Sequence, residues 1–131
     1  MGLTIDDQLA IQQLAARYNH AIDSGDSTGF AGAFVESGVL DAGELVVEGR
    51  TDLEQFGKSF HTSARAPRHV ATNLVIDGDG DQATLHAYVQ MYALVGDPPR
   101  QEITASGVYA DTLSKVDGKW LFERRTFTSD A

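Results

Sequence analysis

The chain has 131 residues, 42% of them apolar and 22% charged, with a net charge of −9. That suits one domain with a real core and is too apolar for a disordered segment. Ten lysines and arginines spread along an acidic chain argue against nucleic acid, and zero cysteines exclude disulfides and thiolate chemistry.

The front half reads as helical. Thr4 precedes Ile5-Asp6-Asp7, an N-cap followed by acids in the first turn. Ile11, Leu14, Ala15, Tyr18 and Ile22 then recur at spacings of three and four, the stripe of a helix packed on one side. Gly25 is the expected left-handed stop. A short second helix is predicted from Ser27 or Thr28, carrying Phe30, Ala33 and Phe34 and closed by Gly38. Val39–Asp41 and Glu44–Glu48 form a predicted hairpin through Ala42-Gly43. Thr51 with Glu54 has the spacing of a capping box, and Leu53, Phe56 and Phe60 give a third helix its buried face.

The back half reads as strands: His69–Ile76, Ala83–Val95, Gln101–Ser114 and Trp120–Thr128, separated by Gly- and Pro-bearing turns. Helices followed by a meander define an α+β domain spanning 1–131 rather than alternating α/β. No run approaches the length of a membrane span and no basic-then-apolar leader opens the chain, so no membrane role and a cytoplasmic location are expected.

Few motifs carry chemistry. Asp77-x-Asp79-x-Asp81 has the opening of a calcium loop, but Gln82 stands where glycine is needed and Tyr88 where a bidentate glutamate is needed. A solvated turn is the better reading. Asp23 lies at the end of the first helix, where the dipole opposes a negative charge; it is either a turn residue bonding its own backbone or an acid with a partner elsewhere. His69 opens the first long strand, sharing a face with Ala71, Asn73 and Val75 on strict alternation. It is either a satisfied structural histidine or the imidazole of a base. Asp plus His suffices for proton abstraction, the imidazole taking the proton while the carboxylate fixes its tautomer. His61, His69 and His86 match no metal-ligand spacing, so no metal is expected. Tyr18 belongs to the apolar stripe, and Arg125 is either an edge-strand solubiliser or a buried cation serving a pocket. Leu14, Phe34, Phe56, Phe60, Ala71, Ala87, Val89 and Met91 are candidate pocket-lining residues, taken from the helix stripes and the apolar strand face.

Several stretches together resemble a known family. They are Ala15-Ala16-Arg17-Tyr18-(x4)-Asp23-Ser24-Gly25-Asp26, Gly49-Arg50, and Arg68-His69-(x3)-Asn73. Gly107-Val108-Tyr109-Ala110-Asp111-Thr112-Leu113 and Asp117-Gly118-Lys119-Trp120-Leu121-Phe122-(x2)-Arg125 complete the set. In order and spacing they resemble the SnoaL-like branch of the nuclear-transport-factor-2-like superfamily, over essentially the whole chain. The resemblance implies a cone: a curved mixed sheet wrapped around three N-terminal helices, with a pocket at one end.

Within that superfamily the chain is similar to the scytalone dehydratase, hexachlorocyclohexane dehydrochlorinase and bile acid 7α-dehydratase group. These are lyases without cofactors in which an Asp–His dyad removes a proton. The likeness implies catalytic roles for Asp23 and His69 and substrate contacts for Tyr18 and Arg125, with Phe34, Phe56, Phe60 and Met91 around the ligand. It departs near Met91 and Ala93, where scytalone dehydratase has a second histidine and this chain has none. The expected function is therefore a cofactor-independent lyase acting on a small, hydrophobic, cyclic molecule. The same dyad would serve an isomerase or cyclase, and the same fold a non-catalytic binding module or accessory subunit. Thr84, His86, Tyr88, Gln90 and Tyr92 alternate on the outer face of the longest strand, a mixed polar and aromatic set that predicts a homodimer or homotrimer.

Overall fold

A computed structural model describes residues 2–131 of the protein. Three helices, α1 (Ile5–Ser24), α2 (Ser27–Gly32) and α3 (Arg50–Ser63), combine with six strands. The strands are β1 (Phe34–Asp41), β2 (Val46–Glu48), β3 (Arg68–Asp79), β4 (Gln82–Val95), β5 (Arg100–Val116) and β6 (Lys119–Ser129). They form one curved mixed sheet in the order β2-β1-β6-β5-β4-β3, antiparallel except where β1 runs alongside β6. The expected α+β architecture is the one observed.

The long helix is set at both ends by its sequence. Thr4 Oγ1 accepts the Asp7 N–H at 3.0 Å, and Asp7 returns a bond to the Thr4 N–H at 3.2 Å, a reciprocal box that satisfies two orphan donors. The other Asp7 oxygen accepts from Trp120 Nε1 at 3.0 Å and Lys115 Nζ at 3.1 Å, which ties the start of α1 to the sheet. Gly25 ends the helix at φ 84°. A Cβ there would sit 2.8 Å from the His61 ring, so the bare glycine also lets the ends of α1 and α3 meet.

The core lies between the helices and the concave face of the sheet. Ile11, Phe30, Phe34, Leu53, Leu85, Leu113 and Phe122 are fully buried there, each such side chain worth roughly 1.5–3 kcal/mol of transfer free energy.

Three local expectations are corrected. α2 is capped by Asp26, which accepts the Gly29 N–H at 2.9 Å, and the helix ends at Gly32, so Phe34 and Gly38 belong to β1. Aromatic and β-branched residues suit a half-buried strand, and the pairing of Phe34 with Phe122 outweighs the helical spacing. Helix α3 begins two residues early, behind Gly49, with no side-chain capping bond, so the Thr51–Glu54 box is not formed. In β3, strict alternation fails at a bulge. Asn73 takes φ 57°, the register shifts between Thr72 and Val75, and Leu74 and Ile76 turn towards the core in place of Asn73 and Val75.

Candidate active site

Helix α1 and strand β3 bring Asp23 and His69 together across 46 residues of chain. Asp23 Oδ1 lies 2.5 Å from His69 Nδ1, and its Oδ2 accepts the His69 backbone N–H at 2.8 Å. The carboxylate thus grips both the ring and the backbone of the histidine. With Nδ1–H committed to Asp23, Nε2 is the nitrogen left to face a ligand. Both side chains are nearly enclosed, at 13% exposure for His69 and 10% for Asp23. The helix-end acid and the strand-opening imidazole, each with two readings in the sequence, are partners.

His69 stands at the boundary of two different environments. On one side is a cavity of about 170 Å³ whose walls also include Tyr18, Phe56, Phe60, Met91, Tyr109 and Phe127. Ile22, Leu40, Ala42, Val89 and Ala105 complete it, so nine of its twelve lining residues are aliphatic or phenylalanine. On the other side, between α1 and β3, Asn19, His20, Ser24 and Arg68 line a polar cleft that reaches Asp23.

Strand register explains the floor of the cavity. His69 pairs with Met91 and Met91 with Ala105, giving one row; Ala87, Tyr109 and Phe127 form another. Gly107 lies between those rows and lacks the Cβ that would strike the Phe127 ring at 2.8 Å, which lets that ring lean over the sheet into the cavity.

Behind the cavity sits a fully buried ion pair. Arg125 Nε and Nη2 each donate to an Asp111 oxygen at 3.0 Å, and both side chains have no exposed surface. The guanidinium is stacked 3.5 Å from the Tyr109 ring centroid, 4.4 Å from Phe122 and 4.5 Å from Tyr18. Its Nη1 has no hydrogen-bond partner. Burial pushes the Asp111 carboxyl up, and the Arg125 charge opposes that shift. Burial likewise raises Tyr18 well above the ordinary phenol range, and raises Tyr109 against the opposing Arg125 charge.

The other sequence candidates fall as follows. Tyr18, Phe56, Phe60, Val89 and Met91 line the cavity with His69. Arg125 is neither at an edge nor on the cavity wall; β6 is interior to the sheet and the guanidinium is sealed beneath the two tyrosines. Phe34 packs in the aromatic core against Tyr18, Phe30 and Phe122 rather than against the cavity. Ala71 faces a groove between α1 and β3, Leu14 a groove beside Trp120, and Ala87 the core. Tyr109 was not singled out from the sequence, although its alternation with Asp111 and Leu113 on the buried face of β5 is a readable signal. No group of three or more His, Asp or Glu among the described residues is placed to hold a metal, and no helix there is long and apolar enough to cross a membrane.

A curved sheet closing over helices around an apolar pocket, with the imidazole of an acid–imidazole pair in its wall, defines an α+β pocket protein of the cystatin-like or NTF2-like type. The chain belongs to the SnoaL-like domain family, which matches residues 3–126. A protein of unknown function from Mycobacterium tuberculosis is 32% identical, with a TM-score of 0.91 over 97% of this chain and 78% of that one. A cystatin-like protein of unknown function from Nostoc punctiforme is 28% identical, with a TM-score of 0.87 over 99% and 96%. A candidate scytalone dehydratase from Novosphingobium aromaticivorans is 25% identical, with a TM-score of 0.86 over 97% and 86%. Among curated proteins, none matches this chain.

Proposed function

We propose that the protein is a cofactor-independent lyase that removes a proton from a small, hydrophobic, cyclic molecule, with His69 as general base and Asp23 as its orienting carboxylate. The observation that carries this reading is the Asp23–His69 contact, whose imidazole stands in the wall of a mostly apolar cavity. A positioned base contributes about 10²–10⁴-fold, and fixing the ligand in a dry site supplies more. A cavity of about 170 Å³ is of the order that accepts a single ring, since roughly 150 Å³ of apolar space holds benzene. Similarity to a candidate scytalone dehydratase points the same way. Isomerase or cyclase chemistry begins with the same proton transfer and differs only in where the electron pair goes.

The experiment is a screen of one-ring ketones and alcohols for elimination, isomerisation or exchange of a C–H proton with deuterated water, repeated with His69→Ala. Turnover lost in the variant supports the enzyme. Equal ligand binding by both forms, with no chemistry in either, favours the second reading, a non-catalytic binding module. The apolar character of nine of the twelve lining residues is what favours that alternative.

We also propose that the outer face of the sheet joins two copies of the chain. Tyr88, Val70 and Val108 are 58%, 43% and 37% exposed there and adjoin across neighbouring strands. Light scattering at micromolar concentration should give twice the chain mass or more; the monomer mass alone refutes the idea.

A further inference from the structure

The ten lysines and arginines divide by what they touch. Lys58, Arg100, Lys115, Arg124 and Arg125 each meet a carboxylate. Arg50, Arg65 and Arg68 each donate to a backbone carbonyl. That leaves Arg17 and Lys119, which make no hydrogen bond or ion pair with any described residue. One solvated surface cation is ordinary, since exposed ion pairs are worth little. These two, however, line the same groove.

The groove has a volume of about 460 Å³, within the roughly 300–1,000 Å³ of small-ligand sites. Arg17 comes to it from α1 and Lys119 from the start of β6, with the Gln13 amide beside them. Leu14, Trp120 and Leu121 supply its apolar surface, and its other lining residues are alanine or glycine. The Trp120 indole N–H is committed to Asp7 at 3.0 Å, so it is not spare for a ligand. No aspartate or glutamate lines the groove, although the chain carries 19 of them. It shares no lining residue with the cavity that His69 borders.

An acid-free groove with two unpaired cations is a local reversal of sign in a chain of net charge −9, and such a reversal attracts anions. Arginine offers a planar fork that matches a carboxylate, and lysine adds a point charge. The apolar wall gives no advantage to a bare ion. It rewards an anion that carries methylenes or a ring, because each carbon laid on it leaves water.

We propose that this groove is a ligand site separate from the cavity, taking a small carboxylic acid with an apolar body. The carboxylate meets Arg17 and Lys119, and the body lies against Leu14, Trp120 and Leu121.

The test uses three probes: octanoate, acetate, which lacks the apolar body, and octan-1-ol, which lacks the charge. Trp120 is the only tryptophan, so its indole N–H gives a single ¹⁵N NMR signal that reports on the groove, while the His69 ring signals report on the cavity. In the unaltered protein octanoate should shift the Trp120 signal saturably. Acetate should bind at least about tenfold more weakly, and octan-1-ol roughly three- to tenfold more weakly. Arg17→Gln/Lys119→Gln removes no bond of the fold. It should weaken octanoate by roughly the same three- to tenfold, abolish the loss of affinity with added salt, and erase the preference for octanoate over octan-1-ol. Gly32 also lines the groove, and a Cβ built on it meets nothing within 4 Å, so Gly32→Phe can be accommodated and should weaken octanoate and octan-1-ol together. No saturable Trp120 shift, a shift of His69 alone, or unchanged octanoate affinity in Gly32→Phe overturns the site. Octan-1-ol binding as tightly as octanoate, or a double variant that binds octanoate unchanged, overturns the role of the two cations. Acetate matching octanoate overturns the apolar body.

Discussion

Two aspartates of this protein are paired with a nitrogen-bearing side chain, Asp111 with Arg125 and Asp23 with His69, and the pairs differ in what their burial permits. Asp111 and Arg125 face each other across β5 and β6, with two parallel bonds and no exposed surface. Asp23 and His69 join a helix end to a strand start, keep 10% and 13% exposure, and touch both a polar cleft and an apolar cavity. Arginine stays charged at any working pH, so the first pair is a fixed charge distribution. An imidazole keeps a second ring nitrogen when the first is bonded to a carboxylate, so the second pair is the one the proposed proton transfer uses. The proposed chemistry is assigned to the pair that borders the cavity, and rigidity to the pair with no exposed surface.

The sharpest way to break this contrast is to neutralise each acid in turn. Asp23→Asn should lower turnover of whichever ring substrate responds by about 10²–10⁴-fold, with ligand affinity changed only a few-fold. Because the carboxylate is enclosed and grips two N–H groups of His69, the variant should also lose about 1–3 kcal/mol of stability. Steady-state kinetics and urea unfolding measure the two effects. Unchanged turnover would make the pair structural and erase the difference.

Asp111→Ala should do the reverse, chiefly destabilising by about 3–5 kcal/mol because it strands a buried guanidinium. The double variant Asp111→Leu/Arg125→Met should recover most of that loss, as replacing both members of a buried pair is close to neutral. Urea midpoints for the two variants decide the matter. A tolerated single variant would mean that water reaches Arg125.

Asp7 extends the comparison to a third acid, outside the cavity. The indole N–H of Trp120, then Lys115 and Thr4, hold its carboxyl well below the ordinary range. A depressed carboxyl stabilises the fold above the pKa of the unfolded chain and loses that contribution as pH falls through the folded value. The stability gap between the unaltered protein and Asp7→Asn should thus be full near neutrality and shrink below about pH 4, as read by thermal melts across pH. A gap independent of pH would refute the linkage.

The smallest effect is expected at Thr51. With α3 starting behind Gly49 and no side-chain cap formed, Thr51→Ala should change stability by less than about 0.5 kcal/mol. A loss near 1 kcal/mol, the usual worth of an N-cap, would restore the capping box.

Much of this was legible in the chain. The α1 boundaries followed from Thr4 and Gly25, because capping is local chemistry. The buried face of β4, from Ala83 to Val89, followed from a period of two. Phe34 lies in a short segment whose aromatic residues satisfy helical and strand spacing alike, and only its partner Phe122 selects the strand. The inward turn of Leu74 and Ile76 was hidden because Asn73 carries the bulge without a glycine to announce it. Alternation with Asp111 and Leu113 shows that Tyr109 is buried, but it does not separate a strand residue that faces a cavity from one that faces the core.

By itself the sequence determined the class of fold, the four long strands and the candidacy of Asp23 and His69, since periodicity, turn chemistry and side-chain type are properties of short segments. Tertiary structure decided that Asp23 reaches His69, that Arg125 is sealed behind Tyr18 and Tyr109, and that Gly107 leaves Phe127 room over the cavity. Those are contacts between segments far apart in the chain, set by sheet curvature, register shifts and the angle at which α1 crosses β3, and no local pattern encodes them.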